Sequence, residues 1–210
     1  MICLLGGTFD PVHFGHLRTA LDVQQMLGIP RLDLLPCRIP PHRPEPQLPA
    51  AERLELLKLA VQNEPALQID VRELEREGPS WMVDTLQSLR DDIGADEPLC
   101  LALGMDALAG LASWHRWHDI PALCHLVVMQ RPGNDWPVEG EVADWLTTVR
   151  VNNITALHDT PAGQVATVMV RQLDISSTGI RHLLSAGKNA RYLLPEAVLE
   201  RITQENWYAN

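Results

Sequence analysis

Two histidines three apart, His13 and His16, stand at the mouth of a helix-forming segment and behind a glycine pair, Gly6 and Gly7. The whole string is Gly6-Gly7-Thr8-Phe9-Asp10-Pro11-Val12-His13-Phe14-Gly15-His16. Glycines let a backbone approach an anion closely, and a helix N-terminus offers unpaired N–H groups and the positive end of its dipole. Imidazoles three apart in a first helical turn point the same way. Such an arrangement suits gripping a phosphate as its charge changes. A metal pair or a surface accident would use the same residue types, because short motifs also arise by chance. The surroundings favour phosphate: Met1–Leu5 is an apolar run that reads as a buried strand, and Leu17–Leu27 has helical spacing stopped by Gly28 and Pro30.

A second cluster is Ile175-Ser176-Ser177-Thr178-Gly179-Ile180-Arg181. Ser176, Ser177 and Thr178 are N-cap types, and Ile180, Leu183 and Leu184 supply a helix face behind them. A helix start crowded with hydroxyls and N–H groups is another anion cradle, with Arg181 about one turn in. Alone, it also reads as an ordinary capped helix with a surface arginine. Weaker signals are the rigid loop Pro40-Pro41-His42-Arg43-Pro44, Asp106 at the start of a helix, the aromatic run Trp114-His115-Arg116-Trp117-His118, and Arg131 beyond a strand end.

These residues need elements to position them. Short apolar runs alternate with longer amphipathic ones along the chain. The pattern predicts strands at Ile2–Leu5, Leu32–Pro36, Gln68–Val71, Leu99–Leu103, His125–Met129 and Val165–Val170. Between them it predicts helices at Gly15–Leu27, Ala51–Asn63, Ser80–Asp92, Met105–Leu111, Glu139–Thr148, Thr178–Ala186 and Pro195–Gln204. Such alternation implies an α/β fold: a Rossmann-like, doubly wound parallel sheet with helices on both faces. One domain over residues 1–210 is expected, with the C-terminal helical segment, about 176–206, packed on it. In such sheets ligands bind beyond the carboxyl ends of the strands, where the strand order reverses. The Gly6–His16 loop belongs at that edge.

Composition narrows the classes. The chain has 210 residues, 46% of them apolar and 21% charged, as in an ordinary globular protein. No apolar stretch approaches the roughly 20 residues that cross a bilayer, and no basic region precedes the first apolar run. A cytoplasmic protein without a membrane partner is expected. The net charge of −10 argues against nucleic acid, which wants a basic face. A small anion remains compatible, since a local cluster can hold it. Cys3, Cys37, Cys100 and Cys124 form no close pair, so buried free thiols are expected and a zinc site is not.

The eleven-residue string resembles the signature of the His-x-Gly-His nucleotidyltransferase superfamily, and within it the bacterial nicotinate-nucleotide adenylyltransferases. That resemblance spans residues 6 to 181 in the family's order. It implies the nucleotidyltransferase (adenine nucleotide α-hydrolase-like) version of the fold, with ATP and nicotinate mononucleotide as substrates and Mg²⁺ accompanying ATP. Deamido-NAD and pyrophosphate would be the products. It further implies charge stabilisation by His13, His16 and Arg181, and ATP contacts from Gly6, Gly7, Thr8, Phe9, Ser176, Ser177 and Thr178. The mononucleotide would meet His42, Arg43, Trp81, Met82, Asp106, Trp114, His115 and Arg131, with the Trp81–Met82 backbone receiving the nicotinate carboxylate. His115 falls where the family more often has tyrosine, and Ser80-Trp81-Met82 where Ser-Tyr-Thr is commoner. No protein-held metal is implied. Two rivals stay open: another acceptor within the superfamily, and a nucleotide-binding module without turnover. The sequence also leaves self-association into a homo-oligomer open.

Overall fold

The structure is a computed structural model that describes residues 1–40, 44–130 and 136–209. Six strands form one sheet in the order β3-β2-β1-β4-β5-β6, with every neighbouring pair parallel. They are β1 (Ile2–Gly7), β2 (Leu32–Pro36), β3 (Leu67–Ile69), β4 (Leu99–Gly104), β5 (His125–Gln130) and β6 (Val165–Met169). The helices are α1 (Phe14–Leu27), α2 (Ala50–Val61), α3 (Arg72–Glu75), α4 (Met82–Ile93), α5 (Met105–Ala109), α6 (Ile120–Leu123), α7 (Glu141–Val149), α8 (Ser177–Ser185) and α9 (Glu196–Gln204). The expected doubly wound α/β sheet is therefore present, with its order reversing between β1 and β4.

Strand pleating sorts the core into two layers. Cys3 and Leu5 enter one apolar cluster with residues of α1, α2, α8 and α9, while Leu4 enters the other with residues of α4, α5 and α7. Along β4 the same alternation puts Cys100 and Ala102 on the first face and Leu99, Leu101 and Leu103 on the second. Strands buried on both sides read as continuous apolar runs, which is why the sequence located them to within two or three residues.

Helix ends follow local chemistry. α1 stops at Gly28, whose left-handed φ of 66° lets its N–H turn back to the Gln24 and Gln25 carbonyls. α8 starts at Ser176, whose hydroxyl accepts from the Gly179 N–H at 3.1 Å. One start differs from expectation because its residues are engaged elsewhere. α4 begins at Met82 rather than Ser80, because the Ser80 hydroxyl is engaged with the Arg38 N–H and its own N–H with the Ile39 carbonyl. The short helices α3 and α6 were not foreseen, being too brief to show a period. No described helix is long and apolar enough to cross a membrane.

Candidate active site

The carboxyl end of β1 is shaped by crowding. A side chain at Gly7 would put its Cβ 2.8 Å from the Phe9 ring, so glycine is required there. Phe9 itself takes a left-handed φ of 51°, a conformation costing a non-glycine residue on the order of 1 kcal/mol or more. The strain places a ring that is 1% exposed edge-on against His16, with centroids 5.1 Å apart.

The two histidines stack, centroids 3.7 Å apart and planes 26° apart. His13 is not inside the first turn, as its spacing suggested, but is the N-cap, in extended conformation. His16 Nδ1 accepts a hydrogen bond from the His13 backbone N–H at 3.3 Å. In the neutral ring that leaves the proton on Nε2. His13 is buried, and burial lowers its pKa to about 4, so its ring is neutral near pH 7. A neutral His13 spares the stack the repulsion of two imidazoliums. Its Nδ1 is buried with no hydrogen-bond partner among the described residues. Gly15 makes the stack possible: a Cβ there would lie 2.9 Å from the His13 ring and 3.4 Å from the Ile175 carbonyl oxygen.

That last contact brings the second cluster alongside the first. The Ser177 hydroxyl donates to the Pro11 carbonyl at 2.9 Å, joining the start of α8 to the loop after β1. Arg181 Nη1 donates to the Asp10 carbonyl at 2.6 Å, and Nη2 to the Thr178 hydroxyl at 3.3 Å. Two helix N-termini, a histidine stack and an arginine thus converge at the end of β1. Ser176 is exposed but spent on capping, which leaves Thr178 as the other exposed hydroxyl at the start of α8.

Across the switch point, α4 and α5 approach the same edge. The Met82 methyl lies 3.5 Å from where a Cβ on Gly6 would be, and Asp106 is exposed in the first turn of α5. Trp81 tilts against His115 with centroids 4.9 Å apart. Trp114 is half-buried against the core, and Trp117 is a core residue set edge-on to Trp145 at 5.9 Å. His118 pairs with Glu141 at 2.7 Å, and buried His125 bonds to the Thr160 carbonyl at 2.7 Å. His42, Arg43 and Arg131 lie outside the described residues. Among the described residues no three of His, Cys, Asp and Glu are grouped to hold a metal ion.

Sequence reasoning gave no role to three supporting residues. Arg53, 1% exposed, donates to four backbone carbonyls: Thr8 at 2.7 Å, Cys37 at 2.8 Å, and Leu48 and Arg38 at 3.1 Å each. Its only sequence signal is an arginine in helical register with Leu56 and Leu57. Asp10 and Tyr208 meet through a 2.6 Å hydrogen bond that no local pattern announces.

The cytidylyltransferase-like family model matches residues 4–183. A Methylococcus capsulatus protein named "Probable nicotinate-nucleotide adenylyltransferase" is 47% identical over the full length of both chains. A Pseudomonas putida protein of the same name is 45% identical, covering 99% of this chain and 94% of its own. Plasmodium falciparum nicotinic acid mononucleotide adenylyltransferase complexed with NaAD superposes with a TM-score of 0.73, covering 99% of this chain and 96% of that one at 16% identity, a likeness of fold. Matched end to end by such relatives, the chain belongs to the cytidylyltransferase-like family and, within it, to the nicotinate-nucleotide adenylyltransferases.

Proposed function

We propose that the protein transfers the adenylyl group of ATP to nicotinate mononucleotide, a step of NAD biosynthesis. The mononucleotide phosphate oxygen attacks the α-phosphorus in line. A new P–O bond forms, the bond to the β-phosphate oxygen breaks, and deamido-NAD and pyrophosphate result. The nucleophile is already an anion, so the protein need supply no general base. Its contribution is positioning and charge stabilisation. The observation that carries this reading is the His13–His16 stack lying beside the Ser176–Arg181 helix start, because in-line transfer needs donors on both the α-phosphate and the leaving group.

In this reading the Nε2–H of His16 meets the α-phosphate oxygens, and His13 supplies a neutral contact beside it. Gly6, Gly7, Thr8 and Phe9 let the nucleotide lie close to the end of β1. Thr178, the α8 N–H groups and Arg181 hold the β- and γ-phosphates, with Ser176 and Ser177 shaping that turn. Trp81 and His115 form a tilted aromatic wall for the pyridine ring, supported by Trp114, and the start of α4 at Met82 offers N–H groups to the nicotinate carboxylate. Asp106 is assigned to a ribose hydroxyl, and the family resemblance assigns His42, Arg43 and Arg131 to the mononucleotide. Mg²⁺ would accompany ATP and would offset charge on its phosphates, with no protein ligand assigned to it. Buried, unpaired thiols at Cys3, Cys100 and Cys124 suit a cytoplasmic setting.

The test is pyrophosphate release from Mg-ATP with nicotinate mononucleotide, nicotinamide mononucleotide or 4′-phosphopantetheine. Strong preference for the first is expected. Turnover with 4′-phosphopantetheine alone would move the protein to another acceptor, and binding of ATP without turnover would make it a nucleotide-binding module.

A further inference from the structure

The loop after β1 contains a buried carboxylate that anion binding has no evident use for. Asp10 is 4% exposed, in a site otherwise arranged for phosphate. Its Oδ2 accepts from the Gln47 N–H at 2.8 Å and its Oδ1 from the Leu48 N–H at 3.3 Å. Oδ1 also accepts from the Tyr208 hydroxyl at 2.6 Å, across 198 residues of sequence. Arg181 Nη1 lies 3.7 Å from Oδ2 while bonding the Asp10 carbonyl. One side chain therefore joins the loop before α2, the segment after α9 and the arginine of α8.

Tyr208 is held firmly for this contact. It is 8% exposed and has a left-handed φ of 63°, which an L-residue keeps only when its surroundings hold it there. The preceding Trp207 is anchored by its N–H to the Ile202 carbonyl at 3.0 Å and by the Arg201 guanidinium 5.6 Å above its ring. Burial, reinforced by the Asp10 carboxylate, pushes the phenol far up, so it stays a neutral donor at any working pH. A buried carboxylate with several donors is well satisfied. With that side chain tied down, the Asp10 backbone carbonyl accepts from one edge of the Arg181 fork, its carboxylate lies 3.7 Å away, and the Thr178 hydroxyl accepts from the other edge.

We propose that Tyr208 is a positioning residue for the leaving-group phosphates: it holds Asp10, Asp10 holds Arg181, and the segment after α9 thereby completes the α8 cradle. The inference rests on the adenylyl-transfer reading, in which Arg181 meets the β- and γ-phosphates. Its test is a double-mutant cycle on the affinity for Mg-ATP, measured calorimetrically without acceptor, using the intact protein, Tyr208→Phe, Arg181→Ala and both together. Phenylalanine keeps the ring and loses only the hydroxyl.

Tyr208→Phe is expected to weaken Mg-ATP about tenfold, and the double variant to bind no more weakly than Arg181→Ala. Asp10→Asn, which loses the charge facing Arg181, should reproduce the loss, with thermal melts confirming that each variant is folded. Unchanged affinity in Tyr208→Phe, or losses that multiply in the double variant, would overturn the proposal. Because no acceptor is present, a wrong acceptor assignment leaves the cycle intact. An unaltered protein that binds no Mg-ATP overturns the nucleotide reading before any variant is made, and this inference with it.

Discussion

At the residue scale the histidine stack divides labour between two like side chains. His16 is oriented by the His13 N–H and braced by Phe9, so its ring is held in place for the donor role proposed for it. Removing a pre-aimed donor to developing charge costs on the order of 10²–10³ in turnover. His16→Ala should therefore lose that much in kcat and keep its melting temperature. Near-normal pyrophosphate release would remove His16 from the chemistry. His13 makes a different prediction. Its folded pKa is about 4 because burial disfavours the charged ring, against about 6.5 in the unfolded chain. Between those values the unfolded chain binds the extra proton. Stability is thus fully kept above pH 6.5 and lost as pH falls toward 4, by up to about 3 kcal/mol. His125, also lowered by burial, adds a loss of the same sign. The His13 share is the part of the pH-dependent fall in unfolding free energy that disappears in His13→Asn. A variant with the same slope as the parent protein would contradict the burial argument.

At the element scale, the site is set by what glycines leave out. Gly15 occupies the second position of α1, where alanine would be the better helix former by up to about 1 kcal/mol. Its Cβ, however, would reach within 2.9 Å of the His13 ring. Gly15→Ala should therefore keep α1, displace His13 and cut kcat about tenfold to a hundredfold. Full activity would mean that the stack has slack. The same comparison explains what the sequence could and could not reveal. β1, β4 and β5 were readable because doubly buried strands are unbroken apolar runs, and α1 because Gly28 ends it. The loop of phosphate-compatible residues was readable because its chemistry is local. The Trp81–His115 contact was not, because the two residues belong to different turns that meet only across the sheet edge. Arg53 and Tyr208 were hidden for the same reason: their partners are chosen by the fold, not by neighbours in sequence.

At the scale of the whole molecule, Arg53 works as a rivet. It is a buried guanidinium bonded to carbonyls of the loops after β1 and β2 and of the turn before α2. Replacement by methionine would leave four carbonyls without this donor while removing a buried charge. The net loss should be about 3 kcal/mol, or roughly 10 °C in melting temperature for a chain of this size, read by urea and thermal unfolding. A methionine variant as stable as the parent would show those loops to be held by other contacts. Long reach is general here: Arg181 bonds Asp10 over 171 residues, and Tyr208 bonds the same residue over 198. A ribosome releases the chain from its N-terminal end, so the His13–His16 loop emerges long before either partner. While it waits, the nascent polypeptide carries one of the two segments proposed to hold the nucleotide. Mg-ATP should then act as a late folding ligand, its stabilising effect reaching full strength with chains extended through residue 208.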